Sequence, residues 1–275
     1  MVLESLLSPK KAERRPWEMF FIGLLYATVA IFISLWVFEQ YASLVMVFFT
    51  VFASFHIIQG TLSLEEKRDL RAKQDTKEII LLKGHSRALS FFMFLFLGFV
   101  VAYSLWYIIL PSEVTNNLFS VQSATITEVN SRVTGETVKG TILGKIFFNN
   151  IKVMMIALFF SFFYGAGAIF VLSWNASVIA AAMGNFFKAN ILHSSSVVVY
   201  SQSLLRYMTH GVPEILAYFV AGLAGGIISV AVIRHDMKSS NFRKVLLDSI
   251  DLIFIAVFLL IIAALLEVFV TPLFF

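Results

Sequence analysis

Residues 209–226 read Thr209-His210-Gly211-Val212-Pro213-Glu214-Ile215-Leu216-Ala217-Tyr218-Phe219-Val220-Ala221-Gly222-Leu223-Ala224-Gly225-Gly226. A histidine and a carboxylate four residues apart share one face of a helix. The run after Glu214 carries no charge, which suits a membrane span. An ionisable group at the centre of such a span costs about 2.5–3.5 kcal/mol and turns toward protein or a water-filled cavity. His210, Glu214, Ala217, Ala221, Ala224 and Gly225 fall on one stripe at the helical period. Gly222 and Gly226 add a GxxxG pair, a pattern that lets helices approach closely. The stretch therefore predicts a transmembrane helix whose polar stripe faces other helices. A second acid, Glu267, stands in the last apolar run, Ala263-Ala264-Leu265-Leu266-Glu267-Val268-Phe269-Val270-Thr271-Pro272.

The rest of the chain has the same character. Of 275 residues 59% are hydrophobic and 14% charged, against about 45–50% and about 25% in a soluble domain. The fold class is thus an all-α polytopic transmembrane bundle, with the lipid bilayer as its first partner. The absence of cysteine rules out disulfides, thiolate metal sites and cysteine nucleophiles. The net charge of +4 comes from basic residues that flank apolar spans, so topology explains it and nucleic acid is not an expected partner. The first apolar run continues as a full span without a small-residue cleavage site, so no cleaved signal peptide is expected.

The spacing predicts about seven spans. Residues 17–38 and 41–60 form the first two, separated by the polar turn Glu39-Gln40. Residues 61–87 are charged and read as a solvated helix, with Ser63 and Glu66 as a capping box and Asp69 and Lys73 as an i,i+4 pair. Residues 88–110 form the third span, stopped by Pro111. In the polar segment 112–144, Leu118, Val121, Thr125, Val129 and Val133 recur at helical spacing, which predicts an amphipathic helix on the membrane surface, while the Thr and Val content would also suit short strands. Residues 151–172 form the fourth span, with Gly165-Ala166-Gly167-Ala168 at its middle and a break at Ser173-Trp174-Asn175. Residues 176–192 form a fifth span, short or broken. Residues 207–233 and 246–270 form the last two. The expected organisation is a three-span region, 1–110, a linker or amphipathic helix, 111–144, and a four-span bundle, 145–275.

Lys and Arg cluster in residues 10–15, 67–87 and 234–244, and the positive-inside rule places all three in the cytoplasm. The chain is then a multi-pass cell-membrane protein with a cytoplasmic N-terminus and an external C-terminus, and 176–192 must cross. His210 and Glu214 fall in the first turns of the sixth span, and Glu267 near the end of the seventh. Asn149 and Asn150 precede the fourth span. All lie toward the outer leaflet, whereas Asn175 lies at the inner end. Trp36, Tyr103, Trp106 and Tyr107 sit near span ends as interfacial anchors do. Lys152 is placed to snorkel. His56 and His85 read as structural or surface residues.

Phe148-Asn149-Asn150, Tyr164-Gly165-Ala166-Gly167, Asn175, His210-Gly211-Val212-Pro213-Glu214, Ala221-Gly222 and Leu266-Glu267-Val268-Phe269-Val270-Thr271-Pro272 occur in the order seen in one family. Together they resemble the stage II sporulation protein M family, over about residues 145–272. The resemblance implies an integral membrane protein with no catalytic residue set. Bacterial members act in sporulation, as membrane anchors for peptidoglycan-degrading partners during engulfment. Relatives in organisms that neither sporulate nor build peptidoglycan limit how far that role carries over.

Three readings of the polar residues Asn149, Asn150, Asn175, His210, Glu214 and Glu267 compete. The first is a polar lock in a membrane scaffold or assembly protein, though interhelical hydrogen bonds average only about 0.6 kcal/mol in membrane double-mutant cycles. Protein partners in or outside the membrane, or a homo-oligomer, would go with it. The second is a transporter or channel in which Glu214, Glu267 and His210 carry a proton, ion or small solute. The third is a metalloenzyme with His210, Glu214 and Glu267 around a zinc ion. His-Glu-x-x-His, Gly-x-Ser-x-Gly and phosphate loops are absent, and His193 is expected in a loop, so the expectation is no enzyme and no cofactor. Asn175-Ala176-Ser177 matches a glycosylation acceptor, but its depth argues against use.

Overall fold

A computed structural model describes residues 9–71, 85–133, 139–164, 167–191, 195–234 and 239–274. These residues are almost wholly helical, with no strand among them. A bilayer core offers no partner for backbone N–H and C=O groups, so an apolar chain satisfies them within helices. The helices are α1 (Pro9–Arg14), α2 (Glu18–Val37), α3 (Ala42–Arg71), α4 (Ser86–Ile109), α5 (Ser112–Leu118), α6 (Ser120–Val133), α7 (Lys139–Tyr164), α8 (Ala168–Asn190), α9 (Ser196–Arg234) and α10 (Ser240–Leu265). A π-helical turn, Leu266–Val270, joins α10 to the short α11 (Thr271–Phe274). Among the described residues, seven helices are long and apolar enough to cross a membrane.

α9 is the central post. From Ala217 to Ile227 every residue is buried, with α7, α8 and α10 packed around it and α3 and α4 touching it. α8 bridges α9 to α4, and α2 packs on α3 and α4. Buried Leu252, Ala256, Leu260 and Ala263 of α10 face protein, whereas Phe254, Phe258, Ile261, Leu265 and Phe269 stay exposed. That division, at three- and four-residue steps, is the signature of a helix with one side on protein and the other on lipid.

Small residues set the closest crossings. A Cβ on Gly98 of α4 would lie 2.2 Å from the Phe20 carbonyl oxygen, and one on Gly23 of α2 would lie 2.4 Å from the Leu95 carbonyl oxygen. On α9 two close crossings are at Gly222 and Gly225. Gly222 meets Ala168, and Gly225 meets the Leu158 carbonyl.

Several expectations need correction. The chain does not break at Ser173–Asn175, which lies inside a helix. α7 ends at Tyr164, and α8 runs unbroken for 23 residues from Ala168 to Asn190. A Cβ on Gly167 would lie 2.2 Å from the Phe160 carbonyl oxygen, so backbone meets backbone closely there. Asn175 does not interrupt the helix because its Nδ2 donates to the Val171 carbonyl at 2.7 Å. The second helix passes Gly60 and continues to Arg71, so Glu66 lies mid-helix and buried, and Ser63 is no cap. The side chains of Asp69 and Lys73 lie outside the described residues.

The polar segment after Pro111 is helical, as predicted, but it packs on the bundle. α6 lies against α3 and α8, and its inward residue is Gln122, while Val121 is exposed. The side chains of Val129 and Val133 lie outside the described residues. Of the four aromatic anchors only Trp36 is freely exposed, at 87%. Tyr103 and Tyr107 are buried, and Trp106 Nε1 donates to Thr28 Oγ1 at 3.1 Å. α9 begins at Ser196, eleven residues before the expected start. His210 and Glu214 therefore sit near the middle of α9, although Glu267 is close to the end of the chain.

Candidate functional site

His210, Glu214 and Tyr218 follow one another at four-residue steps on α9, so they stand in a column on one face. Pro213 lies inside the helix; lacking an N–H, it leaves the Thr209 carbonyl without its usual helical donor. Opposite runs the end of α10, where the π-helical turn begins at Leu266. Such one-turn insertions realign the side chains that follow them and recur at functional sites. Thr271 Oγ1 donates back to the Leu266 carbonyl at 3.2 Å and lies 3.2 Å from His210 Nδ1. With the hydroxyl proton spent on Leu266, the histidine supplies the proton of the second bond.

That bond fixes the register of two antiparallel helices. One turn inward from His210 is Glu214, and one turn back from Thr271 is Glu267. The two carboxyls accordingly face each other across the helix pair and lie within electrostatic range. Tyr218 Oη donates to Glu214 Oε1 at 2.8 Å. Among the described residues, no lysine or arginine forms an ion pair with either acid.

α7 contributes Asn150. Its side chain is 5% exposed, and its Nδ2 has no hydrogen-bond partner. Asn150, Met154, Ala157 and Ser161 form a buried stripe, and this stripe meets α9 where Gly225 touches Leu158 and Ser161. α7 and α9 run in the same direction. About 12 Å up α7 from Leu158 is Asn150, and the same rise from Gly225 reaches Ala217, between Glu214 and Tyr218.

The sequence-selected residues therefore divide. The His210–Thr271 bond sets Glu214 opposite Glu267 and Asn150 is buried on α7, whereas Asn149 is exposed and Asn175 bonds within its own helix. His193 lies outside the described residues. Among the described residues no group of three His, Asp or Glu is placed to hold a metal ion, so His210, Glu214 and Glu267 do not form the zinc set considered above.

Three polar layers were missed by sequence reasoning. Tyr103 Oη lies 2.8 Å from Thr50 Oγ1 and 3.4 Å from Ser173 Oγ. Gln122 accepts from Ser43 Oγ at 2.7 Å and donates to Ser177 Oγ at 3.2 Å. Tyr107 Oη donates to Asn185 Oδ1 at 2.5 Å, and Lys188 Nζ sits 4.8 Å above the Tyr107 ring. A signal existed: Ser173, Ser177, Gly184 and Lys188 share one face of α8 at helical spacing. A further missed feature is His85, buried at 2%, whose Nδ1 lies 2.5 Å from Glu65 Oε2. Buried Glu13 and Glu66 belong to the same end of the bundle, where α1 packs on α3 and α4. No spacing signals that pairing, because 20 residues separate the two side chains.

Comparison with known proteins gives one result. The family model described as stage II sporulation protein M matches residues 88–272. The match begins at α4, well before the motifs at 145–272 and outside the region they define. No curated protein and no solved structure matches the chain.

Proposed function

The chain belongs to the stage II sporulation protein M family, and from that premise we propose that it acts as a membrane scaffold, a fixed helical framework on which other proteins assemble. The observation that carries this reading is the enclosure of α9, buried without interruption from Ala217 to Ile227. A helix enclosed by five neighbours and fastened to the end of the chain by the His210–Thr271 bond suits a rigid post better than a moving gate. The framework lies in the bilayer with α5 and α6 outside and residues 10–15 inside, on the charge rule. Reconstituted in liposomes, the protein is expected to leave proton and potassium permeability at the level of protein-free vesicles.

A second reading is favoured by one observation, the two facing acids without a basic partner. In this reading the Glu214–Glu267 pair passes protons or ions. Flux above the protein-free level that disappears in Glu214→Gln would replace the scaffold by a transporter.

The orientation has its own test. The chain lacks cysteine, so single cysteines report cleanly. Glu113→Cys in α5 is expected to react with a membrane-impermeant maleimide in intact cells, and Arg87→Cys only after lysis. Both side chains are exposed. The reverse pattern would invert the topology.

A further inference from the structure

α7 and α10 run antiparallel, so the first turns of one lie beside the last turns of the other. Between them is a groove of ≈ 300 Å³. Its α7 wall is Gly140, Leu143, Gly144 and Phe147, and its α10 wall is Ile261, Ala264 and Leu265. No wall residue has a polar side chain. The glycines make the room. Gly23, Gly98, Gly222 and Gly225 lie at helix crossings, and a Cβ on any of them would come within 2.6 Å of another helix. Gly140 and Gly144 have nothing within 4 Å of that position, so no helix of this chain uses the space beside them.

A charge stands at one end. Lys139 opens α7 and is exposed, and its Nζ lies 5.6 Å from the centre of the Phe269 ring. Phe269 follows the α10 wall, so this contact marks the mouth of the groove at the membrane surface. The opposite end, at Phe147 and Ile261, points toward the bilayer centre. Among the described residues no carboxylate pairs with Lys139. The first turn of α7 contains no acid, so the positive end of the helix dipole adds to the ammonium. Seven steps of about 1.5 Å from Gly140 to Phe147 give a wall about 10 Å long. That is shorter than the roughly 15 Å of hydrocarbon in one leaflet.

A cation at the surface end of an apolar groove that runs inward has the polarity of a phospholipid, head outward and chain inward. We infer that the α7–α10 groove holds one acyl chain of an anionic phospholipid whose headgroup phosphate rests on Lys139. A second copy of the chain fits less well. A two-fold contact through Gly140 and Gly144 would set the two Lys139 ammoniums side by side, and like charges repel most where the dielectric is low. The site goes beyond the scaffold and transporter readings and requires neither, because it needs binding and not passage.

The test uses the full chain, purified in detergent and stripped of lipid. It is mixed with equal amounts of phosphatidylglycerol and phosphatidylcholine of the same acyl chains, and native mass spectrometry counts what stays bound. One phosphatidylglycerol per chain is expected, preferred about fivefold, the factor that one lysine supplies near an anionic surface. Gly144→Leu puts a side chain into the groove where a Cβ meets nothing, so it should fold and lose the bound lipid. Lys139→Gln, a surface change, should abolish the preference between the two lipids. Lys152→Gln, at an exposed lysine of α7 that does not line the groove, should change neither. Equal retention of both lipids by the unsubstituted protein would overturn the inference, as would undiminished retention in Gly144→Leu or undiminished preference in Lys139→Gln. So would a dimer that Gly144→Leu dissociates, which would give the groove to a second copy. Liposome flux is not read, so failure here leaves the scaffold and transporter readings where they stand.

Discussion

Replacing Gly98 by leucine will leave little or no folded protein. Even alanine's Cβ would lie 2.2 Å from the Phe20 carbonyl oxygen and 3.0 Å from the Gly23 Cα. The obstacle is backbone on a second helix, which cannot swing aside as a long side chain would. α2 and α4 would have to separate along one of the largest helix interfaces in the protein. Overpacking a core typically costs about 1–3 kcal/mol, occasionally more, and a backbone-to-backbone clash belongs at the upper end. Total stability is only about 5–15 kcal/mol. Gly98→Ala should show a clear drop in unfolding temperature in detergent, and Gly98→Leu should elute as aggregate. Gly140→Ala is the control. Its new Cβ meets nothing within 4 Å, and Gly to Ala in a helix is worth about 0.5–1 kcal/mol of stabilisation. Equal behaviour of Gly98→Ala and Gly140→Ala would show that the crossing is looser than described.

The second large effect is at the opposite end of the bundle. His85→Leu should destabilise by about 1–3 kcal/mol, because it leaves the buried Glu65 carboxyl without its imidazole hydrogen-bond partner. Both side chains are nearly inaccessible, 2% for His85 and 0% for Glu65, so water cannot take over. The informative measurement is a cycle. Glu65→Gln and His85→Leu each lower the unfolding temperature, and the double variant should lose less than the sum, with a coupling of about 0.5–3 kcal/mol. Strict additivity would show that the two side chains do not act as a pair. This pair also shows why polar residues near helix ends should not be assigned to solvent by composition alone. His85 borders a charged segment that reads as a solvated connector, yet α1, α3 and α4 close over it.

The site was legible in proportion to its local periodicity. The column His210, Glu214, Tyr218 can be read from residue spacing, and the likeness of Glu267-Val268-Phe269-Val270-Thr271-Pro272 to a family pattern directed attention to the second acid. The register that places one acid opposite the other could not be read. It depends on a π-helical turn at Leu266–Val270 and on the bond between Thr271 and His210, 61 residues apart in the chain. Asn149 and Asn150 were indistinguishable in sequence. The helix face decided between them, leaving one exposed and one buried. The break after the fourth span was misplaced because Ser173-Trp174-Asn175 is the more polar interruption. A helix tolerates such residues when an asparagine side chain donates to the carbonyl at i−4.

By itself the sequence determined what each segment must be. Long uncharged runs in a medium without hydrogen-bonding solvent can only be helices, and their number and apolar excess make the protein polytopic. The tertiary structure alone decided which faces meet. Approach between helices is governed by single glycines, by hydroxyls and amides that find partners tens of residues away, and by the half-turn that an extra residue adds near the end of the chain. None of these has a period along the polypeptide, so each becomes visible only when distant helices are side by side.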